Sequence, residues 1–229
     1  MTYIAAGAAA VTAIALLVGP SWAGDADSGY AEVGAARAAK KSNEFVEFLD
    51  RDTFLGGKFS TWMELASDYV FRGESETNDG EIPSIKGSIT WTHSSGLYLG
   101  YYGANNLFPG NDQAGNNPFI NAIWGPYVGY AKKDIGGTGL NYNGMLFQYV
   151  YPGSSDSNYL EMFNYLDKQF GPVNIKLEYS PTITDWFGVE GLQSHNIAIH
   201  PSVSLPHGFT LSGGVGLSVL RQSRPQPRC

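Results

Sequence analysis

Polar and apolar side chains alternate along the chain from Phe59 onwards, which is the period-two pattern of β-strands. Between residues 173 and 180, for example, Val, Ile, Leu and Tyr alternate with Asn, Lys, Glu and Ser. Pro126 and Pro201 fall within predicted strands, and because proline cannot donate a ladder hydrogen bond they predict bulges or breaks. The pattern predicts nine strands, at roughly residues 60–72, 84–93, 96–105, 119–131, 139–151, 158–169, 172–180, 195–205 and 208–220. Most have the roughly 9–11 residues that a strand needs to cross a membrane at a tilt.

The predicted connections differ between the two ends of these strands. With the first strand rising, the longer connections fall at one end, at residues 74–83, 106–118, 152–157 and 181–194. Mostly shorter ones fall at the other end, at residues 94–95, 132–138 and 206–207 and around residue 171. Outer-membrane barrels have long external loops and short periplasmic turns. We therefore expect an all-β fold, an antiparallel up-and-down transmembrane β-barrel with about nine visible strands and about 10–12 in a complete chain.

Charge is distributed unevenly between the two ends as well. The longer connections carry acidic residues and no Lys or Arg, whereas Lys132 and Lys133 lie at the opposite end. This difference predicts an acidic external mouth, which we define by Glu74, Glu76, Asp79, Glu81, Asp112, Asp156, Asp185 and Glu190.

The polar faces of the strands supply a second set of candidate residues. If those faces line a lumen, their charges set the field that a solute crosses, since acidic rings favour cations and basic rings favour anions. The predicted lumen-lining residues are Glu64, Asp68, Arg72, Lys86, Lys176 and Glu178. The alternative is structural, because a barrel of about eight strands is filled by side chains. In that case Asp68 pairs with Arg72, Lys176 pairs with Glu178, and the pairs fill the interior.

Aromatic residues fall near both ends of the predicted strands, as in the two interfacial girdles of a membrane barrel. The band near the longer loops comprises Tyr69, Phe71, Tyr101, Tyr102, Phe147, Tyr149, Tyr151, Tyr159 and Tyr179. The other band comprises Trp62, Trp91, Tyr98, Tyr130, Tyr142, Tyr165 and Phe209. Strands are rich in Tyr in any case, so the two bands are only suggestive of girdles.

Composition and the N-terminal segments narrow the class of protein. Only 15% of residues are charged, against about a quarter in soluble domains. Residues 1–23 have the apolar core and small-residue cleavage site of a signal peptide, although no Lys or Arg precedes that core. Residues 24–58 contain helix formers and predict a helical or leader segment. A plug or a partner-docking helix is the alternative interpretation of this segment. No later run of 18 apolar residues exists to form a membrane helix.

Several chemical classes are disfavoured by the sequence. A net charge of −7 argues against a nucleic-acid partner, because binding phosphates needs clustered Lys and Arg. The single Cys229 cannot form a disulfide framework or a cysteine metal site. His195 and His200, five residues apart on a strand, face opposite sides and suit no metal. We therefore expect no catalytic residue, no cofactor and no metal.

Two short motifs make the sequence resemble a known family. They are Ser67-Asp68-Tyr69-Val70-Phe71-Arg72-Gly73 and Ser94-Ser95-Gly96-Leu97-Tyr98, and they resemble the start of the TorF-type family of proteobacterial outer-membrane porins. Weaker similarities follow in the family's order, at Tyr151-Pro152-Gly153, Asn158-Tyr159, Gly171-Pro172-Val173 and Tyr179-Ser180-Pro181. The resemblance covers about residues 59–220. It implies a signal peptide, an outer-membrane β-barrel over that range and a porin role.

The chain departs from this family at its C-terminus. Residues 221–229 form a basic, proline-rich tail that we expect to be disordered, whereas family members continue with further strands. Nine strands is also odd, and bacterial single-chain barrels have even numbers. We expect a truncated or frameshifted sequence. The alternatives are a misread strand number or closure by residues 24–58.

The expected function is a narrow passive pore for small solutes or ions in the cell outer membrane, not an enzyme. Its expected partners are membrane lipid, lipopolysaccharide, the barrel-assembly machinery and the solutes themselves. The first alternative is a non-conducting barrel that serves as an adhesin, receptor or structural protein. A lipid-modifying enzyme using His93 and Ser94 and a soluble secreted barrel are the others.

Overall fold

The computed structural model describes residues 19–20, 55–109, 119–206 and 209–222. The predictions for residues 1–18, for residues 24–54 and for the tail after residue 222 lie outside this range. Three short 3₁₀ turns (Ile135–Gly137, Ser155–Ser157 and Trp186–Gly188) accompany the strands of the described residues. The strands are β1 (Gly19–Pro20), β2 (Gly57–Ala66), β3 (Val70–Phe71), β4 (Glu74–Ser75), β5 (Ser84–His93), β6 (Leu97–Pro109), β7 (Phe119–Lys132), β8 (Leu140–Tyr149), β9 (Tyr159–Phe170), β10 (Val173–Pro181), β11 (Leu192–Ser204), β12 (Phe209–Ser212) and β13 (Val215–Gln222).

The long strands form one antiparallel sheet in which neighbours in sequence pair with each other. The order is β1-β12-β11-β10-β9-β8-β7-β6-β5-β2, and β13 extends the β12 position along the same side of β11. The small β3–β4 hairpin lies outside this sheet. The prediction of an all-β fold with antiparallel, up-and-down strand order is therefore confirmed.

The expected closure into a barrel is not seen in the described residues. There β2 forms one edge of the sheet, the other edge is formed by β13 and by β12 with its partner β1, and no ladder joins β2 to β13. The physical reason lies in the strand count. From β2 to the position shared by β12 and β13 the meander has nine positions, so its first and last strands run in the same direction and the antiparallel pairing used elsewhere in the sheet cannot join them.

Both in-strand prolines coincide with interrupted ladders, as predicted. The ladder between β7 and β8 begins only after Pro126, at Tyr127, and on the other side of Pro126 it survives as one isolated bridge at Trp124. Pro201 lies where the partner of β11 changes from β13 to β12. A missing N–H at each proline accounts for the gap, because the neighbouring carbonyl loses its donor.

The inner face of the sheet is packed with aromatic side chains. Gly125 makes room for the Phe147 ring, since a Cβ atom at this position would overlap it. Gly129 makes room for the Tyr98 ring in the same way. The buried members are Tyr69, Tyr98, Tyr102, Tyr127, Phe147, Tyr149, Tyr151, Tyr159, Phe163 and Tyr165.

Most of the predicted aromatic girdles therefore face inward. Tyr69 is buried and Phe71 packs against the same core, so their predicted place in an outer girdle is wrong. Tyr101, Tyr130 and Tyr179 do lie exposed on the outer face. Aromatic rings are the largest apolar side chains, and the inner face of a curved sheet needs such volume to exclude voids.

The outer face of the sheet is apolar and exposed. Large apolar side chains alternate there with the inward ones along most of the long strands, as the period-two pattern predicts. They include Met63, Leu65, Ile85, Leu97, Leu99, Trp124, Val128, Leu146, Leu166, Leu177, Ile197, Ile199, Val215 and Leu217. Separately, the described residues contain no helix of sufficient length and apolarity to span a membrane.

Candidate functional site

The connection between β2 and β5, residues 67–83, carries the functional candidates, and we call it the inner loop. The first predicted strand ends at Ala66 instead of residue 72 because the chain turns there. The Asp68 carboxylate accepts hydrogen bonds from Ser75 Oγ, at 2.6 Å, and from Thr77 Oγ1. Although burial acts to raise it, these hydrogen bonds hold the pKa of Asp68 below its ordinary value. Asp68 thus fixes the base of the loop as an anion.

The tip of the inner loop is the two-residue turn between β3 and β4. Arg72 and Gly73 occupy it with positive φ values of 52° and 84°, as a type I′ hairpin turn requires. Such φ values are uncommon for a residue other than glycine. The turn directs the Arg72 side chain against the inner face of the sheet.

The Arg72 guanidinium lies between two carboxylates of the sheet. Its Nη1 donates to Glu161 Oε1 on β9 at 2.8 Å, and its Nη2 donates to Glu178 Oε1 on β10 at 3.2 Å. The predicted pair of Asp68 with Arg72 is therefore wrong. Burial lowers the pKa of Arg72, but Glu161, Tyr149 and Glu178 outweigh it and raise that pKa above its ordinary value. Arg72 is a permanent cation in this position.

Glu178 is held by wall residues in addition to Arg72. Its Oε1 accepts from Ser180 Oγ at 2.7 Å and from Asn196 Nδ2 at 2.9 Å, and its Oε2 lies 3.1 Å from His200 Nε2. Glu178 was predicted to pair with Lys176, and the structure gives it these partners from β10 and β11 and from the inner loop. The Lys176 ammonium lies 5.6 Å from the centre of the Tyr165 ring.

Two further contacts fasten the inner loop at the β5 and β6 side. Lys86 is buried, binds Glu64 at 3.2 Å and lies 4.6 Å from the centre of the Tyr69 ring. The Glu76 backbone oxygen accepts from the Leu107 N–H at 2.7 Å, and its Oε2 accepts from Asn106 Nδ2 at 2.8 Å. The predicted lumen-lining residues thus belong to the inner face or to the loop packed on it.

The residues of the predicted acidic mouth divide into three groups. Glu76 is partly buried in the inner loop, and Asp112 lies outside the described residues. The others are exposed, in the inner loop and in the connections that follow β8 and β10: Glu74, Asp79, Glu81, Asp156, Asp185 and Glu190. These connections lie at one end of the antiparallel strands, as predicted.

Glu161 and His200 are the site residues that sequence reasoning missed. Glu161 is fully buried and shares the inner face of β9 with Tyr159 and Phe163, which lie two residues before and after it. The sequence shows that these residues share one face of the strand. A face that carries both Glu and Phe does not indicate whether it points toward the interior or away from it. A buried carboxylate needs a compensating cation, and this requirement is the signal that could have identified Glu161.

Glu76 gives the loop a predicted pH dependence. Burial raises its pKa from 4.5 to about 7, against the hydrogen bond from Asn106 and with added repulsion from Glu74. Because the folded state binds this proton more tightly than the unfolded state, the stabilisation is complete below pH 4.5 and is lost as the pH rises through about 7. We expect the melting temperature to fall between pH 5 and pH 8 and Glu76→Gln to flatten this fall.

Thermal unfolding across that pH range tests the expectation. Glu81→Gln, which changes an exposed acid of the same loop, is the matched control and is expected to follow the unmodified protein. Parallel curves for Glu76→Gln and the unmodified protein would show that Glu76 does not titrate in this way.

Within the part of the chain that the structure describes, no three His, Cys, Asp or Glu side chains are grouped to hold a metal ion. His93 is the last residue of β5, and its Nδ1 lies 2.8 Å from Ser95 Oγ in the short turn that follows. His195 and His200 face opposite sides, as predicted, since His195 stacks on the outward Tyr179 while His200 faces Glu178.

A comparison with protein-family models identifies the family of this chain. The family model described as "Bacterial protein of unknown function (Gcw_chp)" matches residues 55–226, which include all the long strands. No curated protein and no solved structure shows significant similarity to the chain. The family description names no activity, and it does not name the TorF-type porins that the sequence resembles. Because the match covers most of the chain, the protein belongs to the Gcw_chp family of bacterial proteins.

Proposed function

We propose that the protein is an outer-membrane β-protein of the porin type, which provides a narrow path for small cationic solutes. One observation carries the proposal: the sheet is apolar on its outer face and carries charged side chains on its inner face. A soluble antiparallel sheet turns a polar face to the solvent, whereas this sheet turns an apolar face outward and keeps charges such as Glu161 and Glu178 inside. The proposal includes bacterial outer-membrane lipid and lipopolysaccharide as surroundings and the barrel-assembly machinery as a partner.

The dimensions of the strands support insertion into a bilayer. The strands β5 to β11 have 9 to 14 residues each, which reaches the roughly 9–11 residues of a tilted crossing. Monomeric soluble proteins rarely expose contiguous apolar patches larger than a few hundred Å². An apolar face that continues across the whole sheet is instead typical of a lipid-facing wall.

The charges support a preference for cations. Exposed acids surround the long-loop end, where they raise the local concentration of cations. On the inner face, Glu161 and Glu178 face the interior beside the polar side chains of Ser180, Ser194 and Asn196. The inner loop lies over these groups, and in this conformation Arg72 neutralises part of their charge. Passage of a cation therefore requires the loop to move.

Single-channel recording in planar bilayers tests the proposal with two proteins, the unmodified chain and Arg72→Ala. We expect small, cation-selective steps for the unmodified protein. Arg72→Ala is expected to conduct more often and more selectively, because the loop loses its ion pairs and two carboxylates lose their cation. If both proteins fold into vesicles and neither conducts, the pore is excluded.

A non-conducting barrel is the second candidate, and one observation favours it. Aromatic side chains occupy the inner face from β6 to β9, and barrels of about this strand number are filled by side chains. Such a protein would act through its exposed loops as an adhesin or receptor. The absence of conductance in both recordings, with binding of the folded protein to a surface or ligand, would establish this candidate.

A further inference from the structure

Two carboxylates and two aromatic rings surround the Arg72 guanidinium, and we call this site the guanidinium slot. Its members are Glu161, Glu178, Phe71 and Phe163. The guanidinium carbon lies 4.7 Å from the centre of the Phe71 ring and 5.4 Å from that of Phe163. Carboxylates at the edge of the cation and ring faces against its plane are the two environments that favour a guanidinium group.

The slot is built mainly by the sheet. Glu161 and Phe163 lie two residues apart on the same face of β9 and both are fully buried, while Glu178 lies on the neighbouring strand β10. Ser180, Asn196 and His200 hold the Glu178 carboxylate from β10 and β11. Only Phe71 belongs to the inner loop. If the loop withdraws, three of the four members stay in place with their supporting hydrogen bonds.

An empty slot is electrostatically unfavourable. Without Arg72, two carboxylates remain on the inner face with little solvent, and a buried charge left without its partner is strongly destabilising. The slot therefore demands a cation. The ring faces favour a planar organic cation over a small, strongly hydrated one such as Na⁺, since stacking needs an extended flat group with weak hydration.

Arg72 fits the slot incompletely. It reaches the slot from a left-handed turn conformation, which is unfavourable for a residue other than glycine. Among the described residues, its buried Nε atom has no hydrogen-bond partner. A free ligand carries neither restriction, because it can turn to satisfy its remaining N–H groups and imposes no turn on the chain.

We propose that the guanidinium slot is a binding site for small guanidinium-type organic cations, and that Arg72 is a tethered occupant which such a ligand replaces. This inference rests on the proposed function, for which it names the class of solute. A ligand entering from the acidic end displaces Arg72 and releases the tip of the inner loop. The path opens in response to its own solute.

Replacement of the tethered guanidinium by a free one tests the inference. Arg72→Ala in detergent micelles is titrated with methylguanidinium chloride, with sodium chloride as the ionic-strength control, while the melting temperature is followed. We expect methylguanidinium to raise the melting temperature of Arg72→Ala, by the mass-action stabilisation of a ligand that binds the folded state. The unmodified protein and Arg72→Lys, whose slots hold a cation already, are expected to respond at least tenfold more weakly.

A second variant assigns the effect to the slot. Arg72→Ala with Glu178→Gln lacks one of the two carboxylates and is expected to lose the response to methylguanidinium. If Arg72→Ala does not fold in sodium chloride, its refolding yield in methylguanidinium replaces the melting temperature as the readout. An equal response of the single and double variants, or no response or rescue, would overturn the inference. The titration needs no conductance, so it can succeed or fail independently of the pore.

Discussion

Replacing Phe147 by Ala is expected to lower the free energy of unfolding by about 3–5 kcal/mol, the range found for large-to-small substitutions of buried aromatic residues. Phe147 has no exposed surface. Its ring lies 4.6 Å from that of Tyr149, 6.0 Å from that of Tyr102 and 6.3 Å from that of Tyr127. These partners belong to three different strands, so the cavity left by the substitution cannot close through the movement of one side chain.

The neighbouring residue provides the matched control for this prediction. Leu146 precedes Phe147 on β8, but its side chain faces outward with 38% of its surface exposed. We expect Leu146→Ala to cost less than about 1 kcal/mol in detergent micelles, because detergent can fill the space of the lost side chain. Urea unfolding followed by tryptophan fluorescence measures both. Equal losses for the two variants would mean that the aromatic inner face is not the packed core.

The aromatic core restricts where the proposed pore could run. Beside the aromatic side chains of β6 to β9, most buried polar side chains of the inner face lie on β5 and on β10 and β11, and Asn106 on β6 and Glu161 on β9 border them. The Arg72 and Lys86 contacts of the inner loop lie over those two polar regions. A solute path would therefore follow the polar side chains beside the aromatic core, under the loop.

The strand positions can be predicted from the sequence, because the alternation of polar and apolar residues is a local property. Strands β5 to β10 begin and end within a few residues of the predicted bounds. The prolines predict the gaps in the ladders for the same reason. A proline lacks the N–H that a neighbouring strand would bind, whichever strand that is. Closure is different, because it depends on which edges meet and not on any local pattern.

The sequence predicts the positions of some candidate site residues but not their partners. Alternation placed Lys86 and Glu178 on the inner face, but it paired Arg72 with Asp68 because the two are close in sequence. The structure instead joins Arg72 to Glu161, 89 residues away, through a turn that reverses the chain at Arg72 and Gly73. An Arg-Gly turn of this kind has weaker sequence preference than Asn-Gly, so a strand prediction continues through it. The same turn carried Tyr69 and Phe71 inward.

The proposed membrane location gives the second large prediction, for Leu177 in the middle of β10. Leu177 is 49% exposed on the outer face and lies opposite Leu166 on β9 and Ile199 on β11, both also exposed. In a bilayer, Arg near the midplane of a lipid-facing strand costs about 2–4 kcal/mol. In water, the same exposed substitution costs within about 0.5 kcal/mol. Leu177→Arg therefore separates a lipid-facing wall from a solvated one.

Ile183→Arg is the control, because Ile183 is similarly exposed, at 48%, but lies in the connection between β10 and β11. Unfolding by urea from phospholipid vesicles measures both variants against the unmodified protein. We expect Leu177→Arg to lose about 2–4 kcal/mol and Ile183→Arg to stay near zero, since only the first places a guanidinium in hydrocarbon. If Leu177→Arg is as stable as Ile183→Arg, the apolar outer face does not contact lipid. That face would then have to be covered by protein, because an apolar surface of this extent is not stable in water.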